Sequence, residues 1–209
     1  MKLINGCSAG IQSYPHLLFV VDKPLVSHFF LLLQQGVMIR CRINCSIAAF
    51  LREELGADTE TIEKIQSIIL DGKPVDDLEA ALIKDGSILA LSAAMPGLVG
   101  ATLRRGGTYS SFRNAITYHE TGETAARGEG CVRIKLFNLL MAELGPDLLQ
   151  RGVFLESADF LNFTAGLSQD FWQGCRRITL DNRPLDARQL LDAAWLSGKD
   201  RVFLIVAES

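Results

Sequence analysis

From Val37 to Asn44 the chain alternates, with Met38, Arg40 and Arg42 against Ile39, Cys41 and Ile43, which is the period of a half-buried strand. The spacing then turns helical. Ser46 stands as a cap before Ile47, Phe50, Leu51 and Leu55, and Gly56 follows as a stop. Asp58 or Thr59 caps a second short helix through Ile65. Ser67–Leu70 and Lys73-Pro74-Val75 flank Asp71-Gly72, a pair that tolerates positive φ at both positions and so predicts a two-residue hairpin. Pro74 lacks an N–H, which puts the returning strand at an edge. After the turn Lys84-Asp85-Gly86, the run Ile88–Ala93 is apolar enough for the centre of a sheet. The second half follows the same order: strands over Val132–Phe137 and Gly152–Glu156, a helix from Asp159 to Gly166, Arg177–Leu180 before the turn Asp181-Asn182, and a closing strand Val202–Ala207.

The two halves also share letters. Leu70-Asp71-Gly72-Lys73-Pro74-Val75-Asp76 returns 110 residues later as Leu180-Asp181-Asn182-Arg183-Pro184-Leu185-Asp186. At the same offset Phe50-Leu51 matches Phe160-Leu161, Gly56 matches Gly166 and Ile68 matches Ile178. Two copies of one folding unit are expected, 27–107 and 131–209, each closed by its last apolar strand. Each opens on a hairpin: His28–Gln34 with Val37–Asn44 through Gln35-Gly36 in the first, 132–137 with 152–156 in the second. Residues 108–130 form the expected linker, since Tyr118–Gly130 has three glycines and almost no large apolar residue to offset ordering entropy. Residues 1–26 show no clear period and are expected to be an extension, with Met38 an alternative to Met1 as the natural start.

Strand, helix and hairpin-like return is the order of a β-grasp, in which a mixed sheet wraps one helix. The expected class is therefore α+β, a tandem repeat of two ubiquitin-like β-grasp units. Within unit one, FLREELG at 50–56, LDGKPVDD at 70–77 and LIKDGSILALSAAMPG at 82–97 resemble the sulfur-carrier branch of the ubiquitin-like superfamily, the thiamine and molybdopterin carriers. The resemblance implies a carrier whose terminal diglycine carboxylate is adenylated and becomes a thiocarboxylate. Gly106-Gly107 follows Leu103-Arg104-Arg105 here, which also resembles the tail of ubiquitin, yet Thr108 and about a hundred further residues follow it. An internal peptide carbonyl is no substrate for adenylation, so carrier activity requires cleavage after Gly107.

Composition changes this picture only by exclusion. Hydrophobic residues make up 48%, charged residues 22%, and the net charge is −3, an ordinary globular balance. Region 38–96 carries six Lys/Arg against ten Asp/Glu, and no segment is basic enough for a general nucleic-acid binder. The apolar run Leu17–Leu33 is interrupted by Asp22, Lys23, Pro24 and His28, so no membrane span is expected and the default location is cytoplasmic. Cys7, Cys41, Cys45, Cys131 and Cys175 are an odd set without close pairs. In a strand Cys41 and Cys45 stand about 13 Å apart, too far for one zinc or one disulfide. Buried thiols, no metal and no cofactor are expected.

The chemistry-bearing stretch is Ala94–Gly107 (AMPGLVGATLRRGG), with four glycines, a proline and two adjacent arginines. Backbone N–H groups at glycines and paired guanidiniums suit an anion or an acidic partner. Gly97, Gly100, Arg104, Arg105, Gly106 and Gly107 are the candidate binding residues. The stretch matches neither the P-loop nor the dinucleotide fingerprint. Glu53-Glu54 and Asp76-Asp77 are expected as solvated surface, His119-Glu120 as linker, and Trp172 and Trp195 as core or interface. With no catalytic constellation, the expected function is a non-enzymatic protein-interaction or accessory protein with a protein partner. The alternatives are a metabolite- or anion-binding protein or enzyme using the 94–107 loop, and a sulfur-carrier-like precursor cleaved after Gly107.

Overall fold

A computed structural model describes residues 14–109, 113, 116–120, 126–192 and 194–209. The architecture is mixed α and β, with parallel and antiparallel strand pairs. In chain order the first elements are β1 (His16–Val21), α1 (Phe30–Gln35), β2 (Val37–Ile43), β3 (Cys45–Ser46), α2 (Ile47–Glu53) and α3 (Thr59–Lys64). Then come β4 (Ser67–Leu70), β5 (Lys73–Pro74), β6 (Leu82–Ile83), β7 (Ile88–Ser92), α4 (Gly97–Leu103), β8 (Gly128–Phe137) and α5 (Leu139–Arg151). The last are β9 (Val153–Glu156), α6 (Ser157–Ala165), α7 (Gln169–Gly174), β10 (Cys175–Leu180), β11 (Arg183–Pro184), α8 (Ala187–Asp192) and β12 (Arg201–Glu208). Two compact units form: Met38–Leu144, and 14–37 together with Gly145–Ser209.

In the first unit the strand order is β5-β4-β7-β8-β2. Pairing sets Ile68 opposite Leu91, Leu70 opposite Leu89, Leu89 beside Ile134 and Leu91 beside Leu136. These six side chains share one face and are fully buried, as are Ile47, Phe50 and Leu51 of α2. Alternation of period 2 meets helical spacing, and the core lies between the two. Ser46 caps α2 by accepting from Ala49 N at 3.2 Å, and Asp58 caps α3 by accepting from Thr61 N at 2.7 Å. The other face of the sheet carries Ser67, Ile69, Ala90, Ser92, Arg133, Lys135 and Phe137.

In the second unit the order is β11-β10-β1-β12-β9. β1 is antiparallel to β10 and parallel to β12, and Leu17, Phe19 and Val21 are buried between those neighbours. The core is aromatic. Phe29 lies 5.5 Å from Phe19, 5.2 Å from Phe163 and 5.7 Å from Phe171, measured between ring centroids.

The two turn segments adopt one conformation. Asp71 and Gly72 have φ of 50° and 81°, and Asp181 and Asn182 have 49° and 65°. Leu70 pairs with Lys73 and Ile69 with Pro74, as Leu180 pairs with Arg183 and Thr179 with Pro184. α2 and α6 begin 110 residues apart, as do α3 and α7.

The closing strands do not correspond as expected. Asp71 exchanges bonds with Ile88, whose N–H reaches Asp71 Oδ1 at 2.7 Å while Asp71 N–H reaches Ile88 O at 2.9 Å. Asp181 makes the same pair of bonds with His16, at 2.9 and 2.8 Å. β1 of the N-terminal segment thus holds in the second unit the place that β7 holds in the first. One strand further, Arg133 N–H donates to Ser87 O and Phe203 N–H to Pro15 O, each at 2.9 Å. The counterpart of β12 is therefore β8, not β7.

Three further expectations are corrected. His28–Gln34 is not a strand: Val26, Phe29, Leu32 and Leu33 are buried at helical intervals in a 3-10 turn (Lys23–Phe29) and α1. The segment 132–137 makes no hairpin with 152–156, because helix α5 follows it and β8 lies between β7 and β2. Residues 16–21 are a strand with neighbours on both sides, not an appendage; 1–13 lie outside the described residues. Within the expected linker 108–130, Arg113 is buried, Tyr118 N–H donates to Pro74 O at 2.8 Å, and 128–130 belong to β8. Residues 110–112, 114, 115 and 121–125 of it lie outside the described residues.

Candidate functional site

The stretch expected to be a glycine-rich loop is largely helix α4. Gly97 opens it at φ 74°, where an L side chain is strained. Gly100 is buried within it, and a Cβ there would come to 1.7 Å of Met95 O, so only glycine permits this turn to close. Arg104 ends the helix and is exposed. Arg105 is half-buried, and its N–H donates to Gln66 O at 2.7 Å. Gly106 N–H points at Asp76 Oδ1 at 3.4 Å, and Gly107 N–H donates to Arg104 O at 3.2 Å. The six candidate residues are thus drawn together around one short helix, but the diglycine is tied to the fold through its backbone.

The group that holds this arrangement is Arg113. Its side chain is 1% exposed. It donates from Nε to Thr102 O at 2.7 Å and from Nη2 to Arg104 O at 3.3 Å, satisfying carbonyls left over at the end of α4. Nη2 also meets Asp76 Oδ1 at 2.6 Å, and Nη1 meets Thr117 Oγ1 at 3.1 Å. A lone Arg in a polar segment carries no local signal, so pattern reading passed over it. Asp76 and Asp77 are accordingly not both solvated. Asp77 Oδ1 accepts from Glu79 N at 2.9 Å and Ala80 N at 3.1 Å, which fixes a turn.

Other residues singled out in the sequence have structural partners. Arg42 binds Glu53 at 3.0 Å and Glu54 at 2.7 Å. Tyr118 donates to Glu120, which also binds Lys84 at 2.7 Å; burial first, then that bond, pushes the Tyr118 phenol up to about 12. Trp172 packs edge-on to Phe171 and Trp195 to Phe160. Cys41 is a free, buried thiol pushed up to about 12, mainly by burial and secondarily by Glu54. Cys131 is disulfide-bonded, a bond that the odd set without close pairs gave no reason to expect. Among the described residues no three His, Cys, Asp or Glu side chains are grouped as a metal would need.

Around α4 the surface is apolar and basic. Leu98 and Val99 are 75% and 66% exposed, and among the described residues Arg104 and Arg105 form no ion pair. Behind Met95 and Pro96, on the outer face of the first unit's sheet, lies a cavity of about 300 Å³. Its walls are Ser67, Ile69, Ala90, Ser92, Phe137 and Asn138 with the 94–96 turn. No known family model matches the chain, and no curated protein or solved structure matches it. Among the described residues no helix is long and apolar enough to cross a membrane.

Proposed function

We propose that this is a non-enzymatic interaction protein built from two ubiquitin-like β-grasp units, and that helix α4 with Arg104 and Arg105 is its contact for a protein partner. Support for the fold comes from the mixed sheet set against a helix in each unit and from the shared hydrogen bonds of the two turns. In this reading the two units differ in strand connectivity, since β1 comes from the other end of the chain.

The observation that carries the functional reading is the pair Leu98 and Val99. With Leu139 they are the most exposed large apolar side chains among the described residues, and they alone of the three stand beside the two arginines, on a helix anchored by Gly100 and Arg113. An apolar pair beside two guanidiniums that make no ion pair among the described residues suits an acidic segment with apolar residues of its own, which covers Leu98 and Val99 and pairs the arginines. The test is the double variant Arg104→Glu, Arg105→Glu. Capture of the partner by the tagged protein should fall at least tenfold, with the melting temperature little changed, because Arg104 is exposed and the half-buried Arg105 makes no ion pair among the described residues. Addition of Leu98→Ala should weaken capture further. Undiminished capture by the charge-reversed protein removes α4 from the interaction.

A further inference from the structure

The hydroxyl of Ser67 is buried at 2% residue exposure and has no hydrogen-bond partner in the protein. Such a group costs free energy, and native folds leave few of them. Ser67 is also a wall of the 300 Å³ cavity. We infer that this cavity is a binding site for a small, neutral, flat and mostly apolar molecule that carries one hydroxyl or carbonyl oxygen, which pairs with Ser67 once that shielded hydroxyl rotates about its Cα–Cβ bond to face the guest.

The shape follows from register. Ser67 lies opposite Ser92, Ile69 opposite Ala90, and Ser92 beside Phe137. Three small side chains therefore form a level floor, with Ile69 and the Phe137 ring at its sides. The turn 94–96 forms one wall of the cavity, which stays half open to solvent, and Met95 within it is a soft side chain that adapts to a guest. The close fit of Gly100 against Met95 O holds that turn in place.

The polarity follows from the bonds already made. Ser92 Oγ donates to Ala94 O at 3.1 Å and accepts from Asn138 Nδ2 at 3.1 Å. Asn138 Nδ2 also donates to Ala94 O, so both of its amide hydrogens are committed. Ser67 is then the buried donor left over. Among the described residues no ionisable side chain lines the cavity, and a charge placed there would go unpaired against them. The volume is about twice that of the ~150 Å³ apolar cavity known to take benzene, and it sits at the lower end of ligand sites, which fits a two-ring molecule.

2-Naphthol is the probe, with 2-naphthoate as the charged comparison. Both are titrated into the full-length protein and followed by amide chemical shifts. The expected result is saturable 2-naphthol binding with shifts centred on Ser67, Ala90, Ser92 and Asn138, and at least tenfold weaker binding of the carboxylate. Ser67→Ala should weaken 2-naphthol about 3- to 10-fold by removing one neutral hydrogen bond, and Ala90→Leu should abolish binding by filling the floor. No saturation up to the probe's solubility, or shifts centred elsewhere, overturns the site. If Ala90→Leu does not fold, the wild-type shift map decides alone. Unchanged affinity in Ser67→Ala overturns the role of the hydroxyl. Neither result bears on protein capture by α4, because the titration contains no partner.

Discussion

Arg113 and Asp76 meet at 2.6 Å, joining a buried guanidinium after α4 to a carboxylate that follows the β4–β5 hairpin. The pair holds the candidate contact helix against the sheet. Asp76→Ala leaves the guanidinium buried with only neutral acceptors, so the variant should lose about 1–3 kcal/mol in urea unfolding. Arg113→Met in the same background should recover part of that loss, because an apolar side chain of similar length suits the site once the carboxylate is gone. Strictly additive effects in the double-variant cycle would show that the two groups do not interact.

The hairpin Asp71-Gly72 requires a left-handed residue. Gly72 sits at φ 81° with open space where a side chain would project, so the cost of substitution is conformational and not steric crowding. Gly72→Val should destabilise the protein by about 1–3 kcal/mol, and Gly72→Asn by much less, since Asn182 occupies the equivalent position at φ 65°. Equal melting temperatures for the Val and Asn variants would contradict this.

A chain beginning at Met38 lacks β1 and Phe29. It should lose the cooperative unfolding of the second unit, because Phe19 and Phe29 supply the rings against which Phe160, Phe163 and Phe171 pack. The check is the amide spectrum of the truncated chain. Dispersed, native-like signals from β10 and β12 would refute the requirement for β1.

Cys41 gives stability a dependence on alkaline pH. Its folded-state value, about 12, lies above that of an exposed thiol, so the neutral thiol is favoured by folding. The contribution is full below pH about 8.5 and is lost as pH rises from there through about 12. Cys41→Ala should therefore show a shallower fall of denaturation midpoint between pH 8 and 10 than the parent protein. Parallel curves would show that the thiol does not titrate between the two states.

Local chemistry was legible wherever it repeated. The turns at 71–72 and 181–182, the caps at Ser46 and Asp58 and the alternation of β2 from Ile39 to Ile43 all follow from residue type and period, while Met38 is buried beside Ile39. Which strand pairs with which was not legible. Ile88–Ala93 and Val202–Ala207 look alike as apolar runs, and nothing local says that one lies beside β4 while His16–Val21 takes the matching place beside β10. The candidate site divides the same way. Its glycines and arginines were visible in composition, whereas Arg113 and Ser67 matter only through partners, or the lack of one, that are distant in sequence.

The placement of β1 has a consequence for synthesis. Leu17 pairs with Leu204 and Phe19 with Val206, so β1 must wait for a strand made more than 180 residues later. The segment Met38–Leu144 is contiguous and can assemble while the chain is still growing. His16–Val21 meanwhile remains an unpaired apolar segment until β10 and β12 emerge. During that interval it is a ready template for foreign edges, and a stalled or shortened chain would expose it permanently.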